Sequence, residues 1–123
     1  MPRILIVDDD PVIVDLLSSL LEENYDILRA YNGAQALETI EQQPLDLILL
    51  DLMMPGIDGF GFVEELKLDP RTKDIPVVVV SAKDITPDER KRLNGHIEAL
   101  YQKGSLHSRK FVDQVVQVIE EKA

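Results

Sequence analysis

The sequence predicts a doubly wound α/β fold, a five-stranded parallel sheet flanked by five helices. Two observations carry that expectation. Apolar runs of strand length alternate with amphipathic stretches of helical period along all 123 residues, and no long linker, repeat or low-complexity stretch separates them. In addition, the aspartates Asp8 and Asp51 sit directly after two of the apolar runs. In an open parallel sheet the carboxyl ends of the strands share one edge, where ligands bind.

The elements follow in order. Residues 4–7, Ile-Leu-Ile-Val, form a continuous apolar run, as expected of a strand covered on both faces. Asp10 and Pro11 read as N-cap and first helical residue, with Val12, Ile13, Leu16, Leu17, Leu20 and Leu21 as the apolar stripe. A weaker strand is expected over residues 26–30. Asn32-Gly33 marks a turn, and Ala34, Leu37 and Ile40 give the stripe of a second helix that stops near Pro44. A third strand spans residues 46–50, and a loop over residues 52–59 leads to a third helix marked by Phe62, Val63 and Leu66 and closing near Asp69-Pro70.

Residues 75–80 form the least ambiguous strand, β-branched and uncharged, ending at Ser81-Ala82. Thr86-Pro87-Asp88-Glu89 is a capping box with proline at the first helical position, and its helix should end before Gly95. Ala99, Leu100 and Tyr101 form a short fifth strand running into Gln102 and Lys103. The last helix, roughly residues 108–121, should bury Phe111, Val112, Val115, Val116 and Ile119.

Composition narrows the function classes. There are no cysteines, which excludes disulfides, thiol nucleophiles and thiolate metal sites. With 23 acidic against 13 basic residues the net charge is −10, a balance that repels nucleic acid and anionic membranes. The short apolar run after Met1-Pro2-Arg3 does not read as a signal peptide, and no segment has the length of a membrane span. A single soluble, cytoplasmic domain over residues 1–123 is expected, with neither nucleic acid nor membrane as partner.

The candidate site gathers residues that each follow a different strand. Asp8 and Asp9 follow the first, Asp51 the third, Ser81 the fourth and Lys103 the fifth. Taken singly these are ordinary: Asp8-Asp9-Asp10 could cap a helix, Ser81 could start a turn, and Lys103 could be a solvated surface charge. Together they describe one crevice. Three close carboxylates repel one another, so without a cation one of them should have a raised pKa, and hard oxygen ligands favour Mg²⁺. His96 and His107 fall at no strand end and are read as surface residues.

With Asp8-Asp9, the Asp51-Leu-Met-Met-Pro-Gly-Ile-Asp-Gly segment, Ser81-Ala82 and Lys103, the chain resembles the CheY-like receiver domains of two-component response regulators over its whole length. The resemblance implies a flavodoxin-like sheet of strand order 2-1-3-4-5. It implies that Asp51 accepts a phosphoryl group from a sensor histidine kinase or a histidine phosphotransfer protein. It also implies that the Met53 carbonyl completes the protein ligands to Mg²⁺, for which Mn²⁺ could substitute.

The chemistry fits those residues. In-line transfer to an aspartate oxygen spreads charge over the equatorial phosphoryl oxygens. A cation held by Asp9 and Asp51, with Asp8 acting mainly through water, would offset part of that charge. Lys103 would supply a fixed positive charge on the opposite side and Ser81 a hydroxyl donor. The result is a phosphoacceptor switch that catalyses its own phosphorylation and slow dephosphorylation, rather than an enzyme with a separate substrate. Slow loss of phosphate is expected because Met53 and Lys83, two residues after Asp51 and Ser81, orient an attacking water poorly.

Three departures from the family pattern concern the output side. The position three before the lysine, commonly Tyr or Phe, is Leu100, and alternation turns Tyr101 to the other face. Gly104 replaces the usual cis-proline, so a trans Lys103–Gly104 bond is expected. The Leu-Tyr-Gln-Lys-Gly-Ser stretch resembles receivers attached to hybrid sensor kinases. No effector region is recognised after the last helix, so output is expected to pass to a separate, unidentified effector protein; a middle station in a phosphorelay and a domain of a larger chain are the alternatives.

Rival readings meet specific obstacles. A haloacid-dehalogenase-type phosphatase needs an aspartate two residues after its nucleophile, and Met53 stands there. A small GTPase needs a phosphate-binding Gly-x-x-x-x-Gly-Lys-Ser/Thr loop, which this chain lacks. A degenerate receiver acting only as an interaction module is opposed by the intact Asp8, Asp9, Asp51, Ser81 and Lys103.

Overall fold

Alternation of buried strands and amphipathic helices closes into one parallel sheet in the computed structural model, which describes residues 1–82, 84–106 and 109–122. Lys83, His107 and the expected helix start at Ser108 lie outside the described residues. The elements are β1 (Arg3–Val7), α1 (Pro11–Leu21), β2 (Asp26–Ala30), α2 (Gly33–Gln42), β3 (Leu47–Asp51), α3 (Gly59–Leu68), β4 (Val77–Ser81), α4 (Pro87–Leu93), β5 (Ala99–Gln102) and α5 (Arg109–Lys122). All strand pairs are parallel, in the order β2-β1-β3-β4-β5. The expected fold class and strand order are those of the structure.

Strand alternation divides the core in two. Ile4, Ile6, Leu47, Leu49, Val78 and Val80 face α1 and α5, where they meet Val14, Leu17, Leu21, Phe111 and Val115. Leu5, Val7, Ile48, Leu50, Val77 and Val79 face the opposite side, against Ala36, Phe60, Val63, Leu66 and Leu93 of α2, α3 and α4. Each fully buried aliphatic side chain contributes about 1.5–3 kcal/mol, which is why β3 and β4, buried throughout, take the centre of the sheet.

Several details differ from the sequence reading, each for a local reason. Val12 was expected in the stripe of α1 but is 71% exposed, while Val14, two residues and 200° further round the helix, is fully buried. Leu37 of α2 is likewise exposed. In α5, Val112 and Val116 are only half-buried, and Val118 joins Phe111, Val115 and Ile119 in the core. β4 begins at Val77 rather than residue 75, because Pro76 has no N–H for the ladder; its carbonyl still accepts from Ile48 at 3.0 Å.

The helix caps follow the sequence closely. Asp10 accepts from the Val12 N–H at 2.9 Å, with Pro11 at the first helical position. Thr86 and Glu89 form the reciprocal capping box of α4, and Gly95 takes φ +82° just beyond its end.

Candidate functional site

β1 and β3 run side by side at the centre of the sheet and deliver two acids to one edge. Asp51 is the last residue of β3 and Asp8 the first after β1; they are 2% and 1% exposed. Asp9, the next residue, is exposed. One oxygen from each of Asp8, Asp9 and Asp51 lies within 4.8 Å of the others, the crevice the sequence pattern calls for.

Local backbone donors fix the two buried carboxylates. The Asp10 N–H donates to Asp8 Oδ1 at 2.9 Å, and the Met53 N–H donates to Asp51 Oδ1 at 3.1 Å. Lys103 enters from the end of β5, within a 3₁₀ turn over Lys103–Ser105 that the sequence reading did not anticipate. Its Nζ lies 3.1 Å from Asp8 Oδ2 and 3.4 Å from Asp51 Oδ2, so one ammonium bridges both acids. Described peptide bonds are all trans, as expected for Lys103–Gly104.

The charge balance is incomplete. Burial, reinforced by the charge of Asp51, raises the Asp8 carboxyl from 3.8 to about 6, against the opposing Asp10 N–H and Lys103 ammonium. Burial pulls the Lys103 ammonium down, but pairing with Asp8 and Asp51 outweighs it and leaves the group above its ordinary value. Among the described residues, three carboxylates against one ammonium leave two negative charges, which a divalent cation would balance. Asp8 Oδ2 is also buried without a hydrogen bond among the described residues: Lys103 is close but outside hydrogen-bond geometry. Hard, anionic oxygens of this number suit Mg²⁺, so the residues present fit such an ion.

The remaining candidates are placed by sheet register. Ser81 ends β4, fully buried, one residue past Val80, which pairs with Asp51; Ser81 itself pairs with Gln102. Met53 is 47% exposed at the mouth of the crevice, whereas Met54 turns into the core. Leu100 and Tyr101 lie on opposite faces, as alternation requires. Leu100 borders a cleft of about 390 Å³ shared with Ser81, Ile85 and Gln102. Tyr101 packs edge-to-face on Phe111 at 5.1 Å and donates its hydroxyl to Gln114 at 2.8 Å. His96 is half-buried at the turn before β5, away from this edge.

Sequence reasoning missed the support beneath Asp51. Asp58 caps α3 by accepting from the Phe60 N–H at 3.1 Å, and Gly59 packs directly against the Leu52 backbone. The signal was present: Asp58-Gly59 before an apolar stripe is an N-cap pattern, but it reads equally as a turn after Pro55-Gly56.

Known proteins resemble this chain in sequence and in fold. Residues 4–113 match the response regulator receiver domain family. The DNA-binding dual master transcriptional regulator RpaA of Synechocystis is 49% identical over 83 residues, covering 67% of this chain and 34% of RpaA. Protein PilH of Pseudomonas aeruginosa is 39% identical over 90 residues, covering 72% of this chain and 74% of PilH. Among solved structures, the signal receiver domain of a DNA-binding response regulator from Colwellia psychrerythraea superposes with a TM-score of 0.88 at 30% identity, covering 98% of this chain and 99% of that one. TrrA of Thermotoga maritima, solved in complex with Mg²⁺–BeF, superposes with a TM-score of 0.75 at 32% identity, both chains covered in full.

The chain belongs to the response regulator receiver domain family. It spans about a third of the length of RpaA. Receiver domains are the phosphoacceptor switches of two-component systems; they bind Mg²⁺ through an acidic pocket and interact with histidine kinases or phosphotransfer proteins. Among the described residues, no helix is long and apolar enough to cross a membrane.

Proposed function

We propose that Asp51 is the phosphoacceptor of a two-component relay and that phosphorylation there shifts the output surface of this domain. One observation carries the reading: a single ammonium, Lys103 Nζ, bridges the buried Asp8 and Asp51 where three carboxylates converge at the strand edge. An Asp51 oxygen attacks the phosphorus of a phosphohistidine on a sensor kinase or phosphotransfer protein. The P–N bond breaks, its electron pair returns to the imidazole, and an aspartyl phosphate remains.

Asp9, Asp51 and the Met53 carbonyl are the proposed direct ligands of Mg²⁺, with Asp8 acting mainly through water; Mn²⁺ could substitute under this reading. When bound, the ion offsets negative charge on the transferring phosphoryl group. Lys103 does the same from the opposite side and holds Asp8 and Asp51 in register. The Ser81 hydroxyl donates to a phosphoryl oxygen once it has arrived, drawing the end of β4 toward the site. The domain acts as a switch without a separate substrate, in the cytoplasm, passing its state to an effector protein rather than to nucleic acid or a membrane. A purely structural interaction module would not need these acids buried together against a lysine.

Incubation with acetyl phosphate and Mg²⁺, followed by intact mass measurement, tests the assignment. The wild type gains one phosphoryl group and Asp51→Asn gains none. Equal labelling of both would place the acceptor elsewhere.

A further inference from the structure

The first residue of α3 rests on the backbone of the residue that follows the acceptor. A Cβ at Gly59 would lie 2.6 Å from both the Cα and the carbonyl oxygen of Leu52, and 2.9 Å from its carbonyl carbon. These are backbone atoms, which cannot swing aside as a side-chain end can. Leu52 is 2% exposed and Gly59 itself is buried, so neither has free space to retreat into. Gly33 provides the contrast: its Cβ would meet only the tip of the Ile57 side chain, at 2.7 Å.

We infer that Gly59 is a positioning residue for the acceptor: by letting α3 seat on Leu52, it fixes the turn from Asp51 to Met53. The inference rests on the Mg²⁺-dependent reading of the site given above. Two functions meet in that turn. The Met53 N–H holds Asp51 Oδ1 at 3.1 Å, and the Met53 carbonyl is the proposed third protein ligand. Asp58 locks the seat from the helix side, its carboxylate capping the first turn of α3 through the Phe60 N–H. A methyl group at position 59 must push Leu52 and α3 apart, and the peptide joining Leu52 to Met53 moves with Leu52. Mg²⁺ demands near-ideal octahedral geometry, so a displaced carbonyl is poorly tolerated.

The test is calorimetric Mg²⁺ titration of the full chain, at a temperature where circular dichroism shows every variant folded. Gly59→Ala should bind Mg²⁺ roughly 10–100-fold more weakly, the usual cost of losing a group that orients a ligand. Gly33→Ala should bind as the wild type does. A merely structural role would lower the melting temperature of Gly59→Ala and leave the affinity of its folded state unchanged, and that result overturns the inference.

Should Gly59→Ala not fold, the pair Asp58→Ala and Asp58→Ser decides. Both remove the same charge, but only serine keeps a cap. Weaker Mg²⁺ binding in the alanine variant than in the serine variant supports the seat, and equal binding overturns it. Absence of Mg²⁺ binding in the wild type would instead refute the metal reading. In that case the metal-free Met53 amide resonance judges Gly59: a downfield position lost in the variant supports the inference, and an unmoved resonance overturns it.

Discussion

The centre and the rim of the sheet are built to different standards. β3 and β4 are buried at every position, whereas β2 and β5 at the two edges are largely half-buried or exposed. The acids of the site stand at the ends of β1 and β3, where neighbouring strands and two helical layers hold the backbone on all sides. The lysine comes from β5, the edge strand, through a short turn, and is itself half-buried. The difference teaches that the proposed acceptor, Asp51, is set in the most fully buried part of the sheet, while its counter-charge sits on an edge strand where the chain can adjust. Residues that depart from the family pattern, Leu100 and Gly104, also belong to that edge.

The sharpest way to break this comparison is to excavate both regions. Leu49→Ala in β3 empties a fully packed site and should cost about 2–5 kcal/mol, against about 1 kcal/mol for the half-buried Leu100→Ala of β5. Urea denaturation gives both values, and equal losses would erase the distinction between centre and rim.

The buried end of β1 makes a prediction in pH. In the unfolded chain Asp8 titrates near 3.8, and in the folded, metal-free protein near 6. Below pH 4 both states hold the proton and no penalty exists. Between pH 4 and 6 the folded state binds more protons, so stability falls as pH rises, by at most about 3 kcal/mol above pH 6. Unfolding in EDTA across that range should show the decline, and Asp8→Asn should flatten it. A stability that rises through the window contradicts the environment described for Asp8.

A smaller effect separates neighbouring acids. Asp9, exposed and unencumbered by the lysine pair, is the proposed direct ligand, and Asp8 the water-mediated one. Asp9→Ala should therefore lower Mg²⁺ affinity more than Asp8→Ala. A tenfold gap appears as about 1.4 kcal/mol less stabilisation by saturating Mg²⁺ in thermal melts. Indistinguishable melts would exchange or merge the two roles.

The smallest effect concerns the crevice mouth. Met53 carries no donor to orient an attacking water, and half its surface is exposed there. Met53→Asn should hasten loss of the phosphoryl group about fivefold, the equivalent of ~1 kcal/mol from one oriented hydrogen bond. Radiolabel decay measures it, and unchanged or slower decay refutes it.

The same contrast between centre and rim governed what could be read from the sequence. Central strands announce themselves because continuous apolar runs have no other soluble use, and the polar residues that stop them, Asp8, Asp51 and Ser81, are conspicuous by position. The caps at Asp10 and Thr86 were legible because proline and an acidic partner accompany them. Less could be read where one residue type suits two geometries. Val12 and Val14 are both apolar, and only the packing of α1 decides which faces inward. The turn at Lys103–Ser105 left no trace because Lys-Gly-Ser has no marked preference for a 3₁₀ conformation. The seat of Gly59 on Leu52 is a contact between two backbones, and sequence records only that one side chain is missing.

The four valines of β4 have a consequence for folding accuracy. Val77 and Val79 face one core, Val78 and Val80 the other, with identical side chains on both. Sliding this strand by one position would therefore exchange valine for valine along its middle, and side-chain shape gives almost no penalty against the error. Discrimination falls to the two ends: Pro76, which lacks an N–H, and Ser81, a hydroxyl that a slipped strand would carry away from the level of Asp51. Proofreading of the alignment is thus delegated to the punctuation of the strand, and the residue proposed to bind the phosphoryl group is also the one that certifies the register.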